Sequence, residues 1–142
     1  MATFVKLPGF IEHLAEKQHN LGSDQLALAF SNTAPGSEGT PPNGSTAACV
    51  LANVTQISYT NASSRNVTTS SSSQTGGTYT LVCTDHVLTA SGTVGPFRYI
   101  YLYNDTAASD NLIAYWDYGG PITLGSGETF TTDFGAYVLQ LA

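Results

Sequence analysis

The stretch "GPFRYIYLYNDT", residues 95–106, puts the tightest constraint on the fold. Phe97, Tyr99, Tyr101 and Tyr103 alternate with Arg98, Ile100, Leu102 and Asn104. Successive side chains of a strand point to opposite faces. A period-two reading therefore gives one face as a ladder of four aromatics and the other an apolar centre with polar ends. Such a strand needs cover on both sides. One face packs into a sandwich core, and the other must meet the N-terminal helix or another subunit. "LIAYWDYGG", 112–120, makes the same demand, with Leu112, Ala114 and Trp116 on one side and Ile113, Tyr115 and Asp117 on the other.

The rest of the chain supplies further strands and turns. "DQLALAF", 24–30, sets Leu26, Leu28 and Phe30 against Ala27 and Ala29. The Pro/Gly-rich stretch 32–46 reads as a loop long enough to be functional or mobile. Residues 48–60 read as two short strand segments with a bend. "RNVTTSSSSQTGGTYTLVCTD", 65–85, reads as a hairpin: a polar edge strand, a "QTGG" turn and an apolar return strand. "HVLTASG", 86–92, follows, and "GETFTTDFG", 127–135, puts Phe130, Thr132 and Phe134 on one face. "AYVLQLA" stays apolar to the last residue, which predicts a terminus paired in a sheet.

Only "PGFIEHLAEKQHNLG", 8–22, has helical spacing, with Phe10, Ile11, Leu14 and Leu21 opposed to Glu12, Glu16 and Lys17. Pro8 suits its first turn and Gly22 its stop, and the helix is expected to lie across a sheet. Eight to ten short strands with close turns predict a mainly β fold. The expected form is an antiparallel, jelly-roll-like β-sandwich with one short N-terminal helix. The expected division is an N-terminal arm and helix, 1–23, followed by a single sandwich domain, 24–142.

Charge excludes some partners. The 142 residues carry a net charge of −6, and Lys6, Lys17, Arg65 and Arg98 are the only bases. Nucleic-acid affinity rests on Lys and Arg neutralising phosphates, so four scattered bases predict neither DNA nor RNA as a partner, and no anionic membrane surface. Charged residues make up only 10% of the chain, so Ser, Thr, Asn and Gly must form the polar surface, a composition common in secreted and viral structural proteins. No run approaches the ~18 apolar residues of a membrane span. "MATFVKLPGFIEHL" lacks the apolar run of a secretory signal. Synthesis in a reducing cytoplasm then favours Cys49 and Cys83 as two buried thiols over a pair.

The residues that could carry chemistry have structural readings. Asp85 and His86 are neighbours on a strand and point apart. No Gly-x-Ser-x-Gly elbow is present. His13 and His19 lack the i, i+4 spacing of a helical metal pair and fall among charged residues that mark a solvated face. "NDTAASDN", 104–111, has oxygen ligands without calcium-loop spacing and reads as a turn. The glycines at 76–77, 119–120, 125 and 127 fall in turns. No catalytic residue, metal or cofactor is assigned, and an enzyme is not expected. The aromatics Tyr99, Tyr101, Tyr103, Tyr115 and Trp116 could stack on sugars, but core and subunit contact is the favoured reading.

Two segments carry a resemblance: "HNLGSDQLALAFSNTAP", and "TASGTVGPFRYIYLYNDTAASDNLIAYWDYGGPITLGSGETFTTDFG". Together they resemble a group of small tailed-bacteriophage structural proteins similar to capsid cement, or head-decoration, proteins. The resemblance implies a homo-oligomer, dimer ahead of trimer, on the capsid exterior of the virion, bridging major capsid subunits. Capsid contact is then expected on the N-terminal arm (Ala2, Phe4, Lys6) and the long loop (Asn32, Pro35, Pro41, Pro42). Phe4 either docks as an anchor or packs on its own sheet. The alternatives are a host-receptor or glycan-binding module and a tail structural component.

Overall fold

A computed structural model describes residues 2–142. In chain order its elements are β1 (Thr3–Lys6), α1 (Pro8–Ala15), β2 (Leu26–Ser31), β3 (Asn66–Val67), β4 (Thr69–Thr75), β5 (Thr78–Cys83), β6 (His86–Thr89), β7 (Val94–Asn104), β8 (Leu112–Leu124), β9 (Thr129–Thr132) and β10 (Leu139–Leu141), with one 3₁₀ turn at Leu51–Asn53. The constraint at 95–106 becomes β7, paired with β8 on one side and β2 on the other. The main sheet runs β1-β8-β7-β2-β3, beside a three-stranded sheet β10-β5-β4 and a two-stranded sheet β6-β9. Every ladder is antiparallel.

Both faces of the main sheet are covered. Leu28, Phe30, Ile100 and Leu102 share the larger core with Leu81 and Leu139 of the three-stranded sheet and Leu88 of β6, which makes the sandwich. Ala27, Ala29, Tyr99, Tyr101 and Tyr103 form a second core on the opposite face. Its cover is the chain itself: Leu7, Ala34, Cys49, Leu51 and Val54.

Two register shifts alter the faces expected from strict alternation. Phe97 pairs with Ile122 while Tyr99 pairs with Asp117. This irregularity turns Phe97 away from the tyrosines into the larger core, against Phe30 (ring centroids 4.9 Å apart) and Phe130 (5.2 Å). Leu102 pairs with Ala114 and Tyr103 with Leu112, leaving Ile113 as an extra residue on β8. Leu112 therefore joins the tyrosine face, and Ile113 joins Ala114 and Trp116 in the larger core. An extra residue breaks the period of two locally, and a pattern reading has no means to see it.

The helix expected over 8–22 stops at Ala15. Residues 16–20 offer no apolar side chain to hold further turns on the sheet. Lys17 enters the left-handed region (φ 65°), and Leu21 reaches the core from the turn that follows. Helix α1 straddles both cores. Phe10 packs into the larger one, while Gly9 lies so close to Cys49 of the smaller that an added Cβ would sit 2.5 Å from the Cys49 Cβ.

Residues 48–60 form no paired strand segments. The segment lies over the tyrosine face as the 3₁₀ turn and a Val50–Asn111 bridge, then runs beyond the short β3 to the edge of β2, where the Ile57 N–H bonds the Phe30 carbonyl and Ile57 and Tyr59 pack on the larger core. The division at residue 23 also has no structural counterpart, because β1 is a strand of the main sheet, in register from Thr3↔Asp117 to Lys6↔Ala114. The Ser-rich hairpin forms as β4 and β5, and the C-terminal segment pairs with β5 as β10. Cys49 and Cys83 are free, buried thiols in different cores.

The Gly9–Cys49 approach makes a direct prediction. Gly9→Ala should lower unfolding stability by about 1–3 kcal/mol in denaturant titration. Gly39→Ala, with open space around it, should leave stability within about 0.5 kcal/mol.

Candidate functional site

One side of the sandwich leaves two sheet edges open beside each other. β1 is the outer strand of the main sheet and β10 the outer strand of the three-stranded sheet. Between them lies a groove of about 400 Å³ lined by Phe4, Lys6, Trp116, Phe134, Tyr137 and Leu139, among others. Trp116 is its floor, 6% exposed, with ring centroids 5.4 Å from Phe4 and 5.6 Å from Phe134. Phe4 and Tyr137 form the walls, 37% and 46% exposed. Burying such rings against a partner gives large apolar area, with aromatic pairing as a further gain.

The backbone of β1 has a defined polarity. Leu7 N–H donates to the Ile113 carbonyl at 3.0 Å, in line with the β1–β8 register. Hydrogen-bonded and non-hydrogen-bonded pairs alternate along an antiparallel ladder. Thr3 and Val5 therefore direct their main-chain groups at β8, and those of Phe4 and Lys6 face outward. Lys6 is the only charged residue lining the groove. Of the other bases, Arg98 forms a two-bond ion pair with Asp117 (2.7 and 3.0 Å), and Arg65 lies 3.9 Å over the Tyr59 ring.

The expected contact residues divide. Ala2, Phe4 and Lys6 gather at this edge, with Phe4 packed on its own sheet through Trp116 while one part of its ring stays open. Asn32 is exposed, Pro35 and Pro41 are half-buried, and Pro42 is buried, so Pro42 is not a surface contact. The loop is tied down over the tyrosine face. Tyr101 Oη donates to Glu38 Oε1 at 3.3 Å, and Gly36 N–H donates to Glu38 Oε2 at 2.9 Å. Burial, with Glu38 beside it, pushes the Tyr101 hydroxyl pKa up.

The expected subunit interface at Tyr99, Tyr101, Tyr103, Tyr115 and Trp116 is corrected accordingly. Tyr99, Tyr101 and Tyr103 are buried by residues of the same chain, Tyr115 is half-buried against Tyr99 and Tyr101, and Trp116 belongs to the larger core. The cover is intramolecular because residues 32–55 return across that face. Tyr137 escaped the sequence reading: "AYVLQLA" read as one paired strand, but β10 begins only at Leu139.

A second cluster overturns the solvated reading of His13 and His19. Both are buried, with ring centroids 6.0 Å apart, because the reversal at Lys17 swings His19 back beneath α1. Asn104 Nδ2 donates to Asp24 Oδ2 at 2.6 Å and approaches His19 Nδ1 at 3.2 Å; Asn111 Nδ2 lies 3.3 Å from the His13 ring. With Nδ1 accepting, the His19 proton sits on Nε2, which has no partner. Burial, reinforced by His13 and opposed by Asp24, lowers the His19 pKa to about 4. His86 is also buried, its Nε2 2.8 Å from the Ser64 carbonyl, while Asp85 accepts the Phe134 N–H at 2.8 Å. The two neighbours thus serve separate contacts. Burial also raises the Cys49 pKa, to about 11, so its thiol stays protonated near neutrality. Among the described residues, no three His, Cys, Asp or Glu side chains gather as metal ligands.

The His19 environment sets a pH dependence. The unfolded side chain takes up a proton near pH 6.5 and the folded one only near pH 4. Stability is complete above pH 6.5, falls as pH drops through that window, and loses up to about 3 kcal/mol to this residue. Melting temperature measured from pH 7 to pH 4 should fall more steeply for the native chain than for His19→Gln.

Comparisons with protein-family models, curated proteins and solved structures found no match to the chain.

Proposed function

We propose that the chain is a structural adhesion protein of a bacteriophage particle: a jelly-roll-like sandwich, self-associated, that binds the outer surface of the head and stabilises contacts between major capsid subunits. The observation that carries this reading is the aromatic groove held open between two sheet edges, on the side formed by the N-terminal arm. The resemblance of residues 19–35 and 89–135 to cement proteins supports the same reading. So does a surface dominated by uncharged polar residues, with no basic patch to hold packaged DNA. Self-association then uses surfaces other than the tyrosine ladder, which the chain covers itself.

Adhesion of this kind needs little from each contact. A standard interface buries roughly 1,200–2,000 Å² in total. An oligomer that grips two or more capsid subunits gains effective concentration once its first contact is made. The rigid sandwich transmits load, and the half-open Phe4 and Tyr137 rings supply the anchor.

Electron microscopy of the particle should place the chain on the head exterior. Heads lacking it should lose their contents at lower temperature, and adding the purified chain should restore the native value. Phe4→Ala and Tyr137→Ala alter half-exposed rings and should fold normally, yet restore heads poorly. The same rings suit a sugar face, which keeps a host-glycan-binding module as the second reading. Specific glycan binding lost in Tyr137→Ala, with no head binding, would replace the cement reading.

A further inference from the structure

An open sheet edge is a template for another strand, and proteins usually guard it with short strands or with Lys. β1 is both short and bears Lys6, so it resists a neutral or basic strand. A strand with a carboxylate opposite Lys6 turns that guard into an attraction. The outward main-chain groups of Phe4 and Lys6 offer two donors and two acceptors to such a strand. Their side chains share the groove face, so the incoming residues opposite them enter the groove together. The one opposite Phe4 meets the rings of Phe4, Trp116 and Tyr137.

We propose that the β1–β10 groove binds an extended segment of a different protein by strand addition to β1, the segment carrying an apolar or aromatic residue and a carboxylate two positions apart on one face. This deepens the adhesion reading, on which it rests, by naming the chemistry of the partner. A second copy of this chain is the wrong occupant. Its sheet-edge strands are β1 (TFVK), β3 (NV), β4 (TSSSSQT), β6 (HVLT), β9 (TFTT) and β10 (LQL), and none contains Asp or Glu. Self-pairing of β1 leaves Lys6 unmatched in any register and opposes it to its own copy in one.

The test uses the full chain, ¹⁵N-labelled, titrated with the capped peptide Thr-Glu-Thr-Phe-Thr, which in antiparallel addition sets Glu opposite Lys6 and Phe opposite Phe4, and its counterpart Thr-Lys-Thr-Phe-Thr. The amides of Phe4 and Lys6 and the Trp116 indole should shift with the first peptide. The second should bind about fivefold or more weakly, as expected for exchanging an attractive cross-strand pair for a repulsive one. Lys6→Gln, at an exposed position, should fold and remove the preference. Three outcomes overturn the inference: no shift at Phe4 and Lys6, equal binding of the two peptides, or ultracentrifugation showing self-association that Phe4→Ala abolishes. If the peptides fail while the chain is still found on the head, the strand inference falls and the adhesion reading stands. If they bind and the chain is absent from the head, the reverse holds.

Discussion

The pairing of β7 with β8 produces two long strands that are apolar on both faces, and each face must be taken out of water. Everything else in the molecule answers one of those two demands. The smaller sheets cover the face bearing Phe30, Ile100 and Trp116. Residues 32–55, read from the sequence as a long functional or mobile loop followed by strand segments, cover the face bearing Tyr99, Tyr101 and Tyr103. The helix spans the junction, with Phe10 in one core and Gly9 against the other. A loop that covers a core cannot be free to move, and the Tyr101–Glu38–Gly36 bonds hold it in place.

Satisfying both faces internally leaves the aromatic ladder no free surface. The aromatic ladder, the most conspicuous candidate for contact, is consumed by the fold. One surface that remains is the sandwich side where β1 and β10 are the outer strands of their sheets, so the rings over Trp116 stay half open and two residues of β1 direct main-chain groups outward. On the proposed adhesion reading, contact rests on this edge geometry together with the charge of Lys6.

The buried polar residues follow the same logic at the end of α1. A helix cut short after two turns leaves a gap between itself and the β7–β8 turn. His13, His19, Asn104, Asn111 and Asp24 fill it with hydrogen-bonding groups, at the cost of an unpaired His19 Nε2 and Asn111 Oδ1. Burial keeps His19 neutral, with His13 reinforcing and Asp24 opposing it.

Strand-rich character, antiparallel pairing, the Ser-rich hairpin and the paired C-terminus were legible in the chain because each rests on local spacing or turn residues. Three things were not. Bulges near Arg98 and at Ile113 reset alternation, and nothing in the residue types marks them. The helix ended where long-range support ran out, although its capping pattern pointed further. The histidines came together through a backbone reversal at Lys17, a residue with no local preference for that conformation. The sequence by itself determined that a two-faced apolar strand must exist and must be covered on both sides. Only the tertiary structure decided that the cover is the chain's own loop and that the β1 edge lies beside that of β10, because burial depends on which distant segments reach a face, and period and composition carry no such distance.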